Sequence, residues 1–291
     1  MKGDFKMNAY TNEQLIEMYI SYLQSNRASK DTISNFVPNI RKLGELYNLQ
    51  TVNKFNLTEY KNILLDKNYA DQTLRSKITA IKSFFRFMKE NDVREDNPSE
   101  FLRVPRLEKI EKTYELKGLE EYKQFIEDKT IPMKVRMCLC LGTFQGLRRA
   151  EICDLDVSSI DFENNILTVK QGKGLKTASI VLSSYAKKMI LEYVEINNIT
   201  EGYLIRNKYN QKLSKNGLNS IFRSAKEKSS LDWDDTVTFH SSRHRFCSTL
   251  VNANIPLPTI AQLSRHSNIN TLKFYSHNSH DEKKVIIDSV F

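Results

Sequence analysis

Asn165-Ile-Leu-Thr-Val-Lys170 and Thr177-Ala-Ser-Ile-Val-Leu182 flank the glycine-bearing Gln171-Gly-Lys-Gly-Leu-Lys176. The outer segments are short and rich in β-branched residues, the signature of strands, and the middle closes them into a hairpin. No other stretch reads this way. Downstream, helical periodicity covers 184–197, 216–228, 238–253 and 258–263, with a short helix around Thr271. Upstream it covers 119–128, then 132–144 ending near Gly146, then 147–155. Further back, Thr11 is an N-cap with Gln14 at the capping-box position, opening the first of four helices. The others run over about 30–47 and 57–67, and from after Asp71 to near Asn91. The expected fold class is mainly α with a small antiparallel β-sheet.

The stretch 91–112 keeps neither period and holds Pro98, Pro105 and a dense mix of charges. It reads as a hinge between domains. The expected division is a helical domain over 1–93, a linker over 94–112, and an α-rich domain over 113–291 with a tail over 276–291. A chain of 291 residues is long enough for two cores.

The formal charge is +9, and the excess is shared, +4 before about residue 110 and +5 after it. Such a balance suits a polyanionic partner, because phosphates neutralised by Lys and Arg release counterions. The fourth helix gives the excess a shape. Leu74, Ile78, Ile81, Phe85 and Met88 share one face, and Arg75, Lys82, Arg86 and Lys89 form a separate stripe spanning about 60°. A charge run is usually a solvated face, but four cations without an acid among them fit contact with a phosphate backbone better.

Cys138 and Cys140 lie in an apolar helical run, and with Cys153 and Cys247 they read as buried structural thiols. No apolar run suits a leader or a membrane span, so a cytoplasmic protein is expected. His240 and His244 have a metal-compatible spacing, yet Ser241 stands where a metalloprotease helix needs Glu, and His277 and His280 look incidental. No metal and no cofactor are expected.

The remaining polar residues are individually ordinary. Arg148 follows Gly146-Leu147 and precedes Glu151 by three, as a helix-end ion pair would; Arg149 competes for the same register. Lys173 sits between Gly172 and Gly174, preferred there over Lys170 and Lys176. His240 and Arg243 lie one helical turn apart, and His266 precedes Tyr275 by nine residues.

Taken in order, Gly146-Leu-Arg-Arg-Ala-Glu-Ile152, Gly172-Lys-Gly174, Phe239-His-Ser-Ser-Arg-His244, Arg265-His266 and Thr271-Leu-Lys-Phe-Tyr-Ser-His277 resemble the tyrosine site-specific recombinases of the phage integrase family, in a compact layout like Xer and Cre. The resemblance covers nearly the whole chain and implies a two-domain DNA clamp, with a SAM-like core-binding domain over 1–93 and a catalytic domain after the linker. It implies that Tyr275 attacks a DNA phosphate, forming a 3′-phosphotyrosyl bond. Arg148 and Arg243 would clamp the phosphate, His240 would accept the phenolic proton, and Lys173 would protonate the leaving 5′ oxygen. His266 would hydrogen-bond the phosphate or Tyr275, and Glu151 would support the site from behind. Two guanidiniums neutralise the charge, so no metal is needed. The 3′-phosphotyrosyl ester retains the bond energy, so no ATP is needed.

Further implications are a double-stranded recombination site with inverted-repeat arms, a homotetramer on two duplexes, a Holliday junction, and docking in trans of the apolar tail carrying Val285, Ile286, Ile287, Val290 and Phe291. One departure stands out: Arg265 precedes His266 where relatives commonly carry Gly. Related chemistry would also serve a type IB topoisomerase, and the scaffold could serve a catalytically idle DNA-binding regulator; the helical first domain and the apolar tail argue against the first, and the intact residue set against the second.

Overall fold

The computed structural model describes residues 10–104, 118–170, 177–229, 231, 233 and 237–266, which divide into two compact units with the boundary after Ile110. Lys173, the short helix expected around Thr271, Tyr275 and the tail over 276–291 lie outside the described residues.

The first unit is four helices, α1 (Asn12–Ser25), α2 (Lys30–Gly44), α3 (Lys54–Asp66) and α4 (Asp71–Glu90). Their starts are chemically set. Thr11 and Gln14 form a reciprocal capping box, Ser29 accepts from the Thr32 amide, and Asn53 accepts from the Phe55 and Asn56 amides. The apolar face read from the sequence of α4 is buried, joined by Phe84 and Phe87. Tyr19 of α1 meets Phe84 edge-on at 5.2 Å between centroids, and its hydroxyl donates to Ser83 Oγ at 2.8 Å. Helix α2 ends at Gly44 rather than near Tyr47, because Asn12 Nδ2 donates to the carbonyls of Gly44 (2.7 Å) and Tyr47 (2.9 Å). A long-range side chain takes over where intrahelical bonds end.

Two expectations need correction here. Residues 94–104 are not free linker: Val93 and Leu102 belong to the same core as the four helices. Arg94 also donates to the Gln50 and Val52 carbonyls, both at 2.8 Å. Nor is Lys82 an outward cation, for its Nζ donates to the carbonyls of Ser99 (3.2 Å), Glu100 (3.2 Å) and Leu102 (2.9 Å). A segment without secondary structure must find partners for its carbonyls, and Lys82 supplies three bonds at once.

The second unit contains α5 (Leu119–Glu127), α6 (Met133–Gln145), α7 (Arg149–Asp154), β1 (Ile160–Asp161), β2 (Ile166–Lys170), β3 (Thr177–Val181), α8 (Ser184–Ile196), α9 (Lys215–Lys228), α10 (Phe239–Asn252) and α11 (Leu257–Ser264). The expected hairpin is β2 paired antiparallel with β3, Ile166 opposite Val181 and Lys170 opposite Thr177. A third strand, β1, pairs with β2 through Ile160 opposite Leu167. It was missed because two residues are too few to show a period.

Helix α6 is buried along most of its length and lies at the centre, packed by α5, α8, α9 and α10. All four cysteines are buried and unbridged. Among the described residues no helix is long and apolar enough to cross a membrane, and no three of His, Cys, Asp and Glu gather as metal ligands.

Helices α6 and α10 approach closely at Gly142. A Cβ there would overlap Ser242 Oγ and lie 2.9 Å from the Ser242 Cβ. Ser242 itself is fully buried and donates to the Phe239 carbonyl at 2.9 Å, so it has little freedom to yield. Gly142→Ala is therefore expected to destabilise the protein by about 1–3 kcal/mol, the usual cost of overpacking, measured by denaturant unfolding. An unchanged midpoint would mean that the two helices separate freely.

Candidate functional site

Helix α6 stops because Gly146 takes a left-handed conformation, φ +60°. A Cβ there would also stand 2.5 Å from the Phe246 ring. The chain then turns directly into α7, with Arg148 as its N-cap residue. Glu151 sits one turn on and reaches back. Its Oε2 accepts from the Arg148 amide and its Oε1 from Arg148 Nη1, both at 2.8 Å. A carboxylate at a helix N-terminus also meets the favourable end of the helix dipole.

Helix α10 starts at a reciprocal cap between Thr238 and Ser241, and its first turns carry His240, Arg243 and His244. Arg243 is buried, 3% exposed. Its Nη1 donates to the Gly146 carbonyl and its Nη2 to the Ser264 carbonyl. The same Nη2 is 3.3 Å from His266 Nε2. His266 Nδ1 pairs with Ser264 Oγ at 2.6 Å, and that hydroxyl donates to the Ile260 carbonyl at 2.5 Å. The ring of His266 is thus oriented from its far side.

The structure therefore brings together Arg148, Glu151, His240, Arg243 and His266 of the residues singled out from the sequence. Arg148, not Arg149, is hydrogen-bonded to Glu151. Arg75, Lys82, Arg86 and Lys89 lie on α4 of the other unit. There Arg75, Arg86 and Lys89 are exposed, with Lys89 3.2 Å from Glu100 and Arg86 3.9 Å from Glu90.

Sequence reasoning treated Arg265 only as a departure. In the structure it is a buried member of the cluster. Its Nη2 donates to the Gly146 carbonyl at 2.8 Å and to Glu151 Oε2 at 3.0 Å, and its own carbonyl accepts from Arg148 Nη2 at 2.8 Å. No sequence period announces such a residue, because its partners lie 114 and 119 positions away.

The electrostatics follow. Burial alone would raise the Glu151 carboxyl, but the charge of Arg265 and hydrogen bonds from Arg148 and Arg265 hold it below the usual carboxylate range. Three guanidiniums against one carboxylate leave two positive charges in excess, and Arg148 is 40% exposed where Glu151 is 6%. A tetrahedral oxyanion placed against Arg148 and Arg243 would be held by charge and by planar donors, more strongly as its negative charge grew.

Burial, then the charges of Arg243, Arg148 and Arg265, pushes His266 down to about 4. Burial, then His240, Arg243 and His266, takes His244 to about 4. His240 is lowered too, by burial and then by Arg243, Arg148 and Arg149, which leaves a neutral imidazole able to accept a proton at neutral pH.

The phage integrase family model matches residues 114–282, and the N-terminal SAM-like domain of phage integrases matches residues 16–92. The tyrosine recombinase XerC of Bacillus subtilis (strain 168) is 27% identical over 287 residues, covering 92% of this chain and 92% of that protein. Two solved structures share the fold. A lambda integrase(75–356) dimer bound to a COC′ core site has a TM-score of 0.72 at 19% identity, covering 90% of this chain and 97% of that one. A lambda integrase tetramer bound to a Holliday junction has a TM-score of 0.70 at 19% identity, covering 92% and 80%.

A folded imidazole that binds its proton less readily than the unfolded chain makes stability fall with pH, beginning below the unfolded value of about 6.5. For His244 and His266 the loss should continue down to about 4. The unfolding midpoint of the free protein should decline across that interval, and both rings should titrate near its lower end by NMR. Titration at the unfolded value would place them outside the cationic cluster.

Proposed function

Because this chain belongs to the phage integrase family and is a tyrosine recombinase, we propose that it cuts and rejoins DNA at specific sites through a covalent bond between the Tyr275 phenolic oxygen and a DNA 3′ phosphate. The observation that carries this reading is the arginine cluster, with two excess positive charges beside neutral imidazoles. A phosphodiester carries one negative charge, which repels nucleophiles, and its phosphorane transition state carries about two. A site with two excess positive charges matches the transition state better than the ground state, and only that difference accelerates the reaction.

The step is an in-line displacement. The Tyr275 oxygen forms a bond to phosphorus while the bond from phosphorus to the 5′ oxygen breaks. The phenol, with an ordinary pKa of about 10, gives its proton to His240. Lys173 gives a proton to the departing 5′ oxygen. Arg148 and Arg243 hold the non-bridging oxygens, His266 hydrogen-bonds the phosphate or Tyr275, and Glu151 fixes Arg148. Attack by the 5′ hydroxyl of another strand reverses the sequence, and the ester bond is conserved throughout.

Exchange between two duplexes then needs four protomers and passes through a Holliday junction. The lambda integrase tetramer on such a junction, sharing this fold, supports the arrangement. The partner is double-stranded DNA with inverted-repeat arms, met in the cytoplasm. The SAM-like first domain, with residues 94–104 packed on it, precedes the catalytic domain (113–291) and meets the DNA backbone through Arg75, Arg86 and Lys89. The tail over 276–291 docks by its apolar face on a neighbouring protomer.

Tyr275→Phe should bind site DNA as wild type does yet form no covalent adduct on a nicked suicide substrate. Arg243→Gln should slow adduct formation by about 10³-fold or more, the scale of losing one arginine in phosphoryl transfer. Adduct from Tyr275→Phe at the wild-type level would remove Tyr275 from the chemistry. Removing residues 284–291 should spare binding to a single site while weakening cooperative assembly in gel-shift titrations; undiminished cooperativity would exclude docking in trans.

A further inference from the structure

Arg265 closes α11 with φ +56° and ψ +42°, the left-handed conformation that favours glycine and costs other residues about 1 kcal/mol. Among the other described residues it is mostly asparagine that takes this conformation, as at Asn68, Asn198 and Asn254. The other arginine that adopts it, Arg27, is exposed, whereas Arg265 is buried. An arginine here carries both backbone strain and the cost of burying a charge, so its side chain must have strong partners. It has three: the Gly146 carbonyl, Glu151 Oε2 and, at 3.0 Å, the Leu263 carbonyl.

A spacing explains what those partners accomplish. Arg243 Nη1 stands 3.9 Å from Glu151 Oε2, inside Coulombic reach but beyond a hydrogen bond, and Arg265 Nη2 occupies that oxygen at 3.0 Å. Arg243 and Arg265 also share the Gly146 carbonyl. With Arg265 removed, Glu151 Oε2 would keep only the Arg148 amide and would draw Arg243 into direct contact. The arginine would then be spent on a carboxylate rather than on a phosphate.

We propose that Arg265 is a positioning residue for strand cleavage: by occupying Glu151 Oε2 it keeps Arg243 off the carboxylate, and by presenting its own carbonyl to Arg148 it helps to fix that guanidinium, so that the two arginines can take a phosphate between them. The inference rests on the recombinase reading above. Its side chain is enclosed and meets no DNA, so it acts only through Glu151, Gly146 and Arg148.

The experiment measures single-turnover adduct formation on a nicked suicide substrate, alongside affinity for the same DNA and the thermal unfolding midpoint. Arg265→Gly relieves the backbone and removes the guanidinium; Arg265→Met removes the guanidinium but keeps the backbone strain; Arg265→Lys retains the charge. With the inference correct, Gly and Met variants slow cleavage by about tenfold to a hundredfold, the scale of a 1 Å misplacement, while DNA affinity holds. Lys recovers part of the rate. Adding Glu151→Gln to Arg265→Gly removes the charge that would draw Arg243 away, so the double variant loses less than the product of the two single losses.

Wild-type cleavage by Arg265→Gly and Arg265→Met, or losses from Arg265→Gly and Glu151→Gln that multiply, would overturn the inference while leaving recombination intact. Should Arg265→Gly not fold, Met against Lys decides: a slower Met variant supports the inference and equal rates overturn it. If the wild-type chain forms no adduct, the recombinase reading falls and takes the inference with it.

Discussion

The Glu151 carboxylate, 6% exposed, holds the N-terminus of α7 through Arg148 and the end of α11 through Arg265. Arg265 and Arg243 in turn both grip the carbonyl at the end of α6. Three chain segments far apart in sequence therefore meet around one anion. A charge this buried is tolerable only when fully paired, and removing one partner from such a pair typically costs about 3–5 kcal/mol. The same constraint that stabilises the corner also makes it cationic. Glu151 neutralises one arginine of three, and what remains is an unbalanced positive charge that opens to solvent along Arg148.

The corner is delivered by helices whose own sequences are simple. Helix α6 supplies none of the cluster's charged side chains, yet two of its features place the site. Gly142 lets α10 come close enough for Arg243 to reach the Gly146 carbonyl. Gly146 then reverses the chain in a left-handed turn, so that Arg148 starts a new helix beside the same carbonyl. Helix α10 is held down where Ser241 Oγ and the Tyr122 hydroxyl pair at 2.7 Å in the buried interior. Small residues set the distances and the charged residues use them.

The first unit shows how a surface pattern can divide in use. Arg75, Lys82, Arg86 and Lys89 share a stripe by helical geometry, but Lys82 turns to satisfy three carbonyls of a non-helical segment while Arg75, Arg86 and Lys89 stay exposed. Periodicity reports on which side of a helix a residue stands. It cannot report that a neighbouring backbone lacks hydrogen-bond partners, which is a property of the whole unit.

Read alone, the sequence determined the helix order, the β2–β3 hairpin, the cap at Thr11, and the residue types gathered at the site. All of these depend on contacts within a turn or two, where spacing is geometry. The two-residue strand β1, the early end of α2 at Gly44, the inward Lys82 and the packing of residues 94–104 were decided by tertiary structure. Each answers a polar or apolar group brought from far along the chain. Arg265 is the clearest case. In sequence it is only an arginine before His266; its meaning comes from Glu151 and Gly146, more than a hundred positions away, because a buried charge is defined by what surrounds it in space.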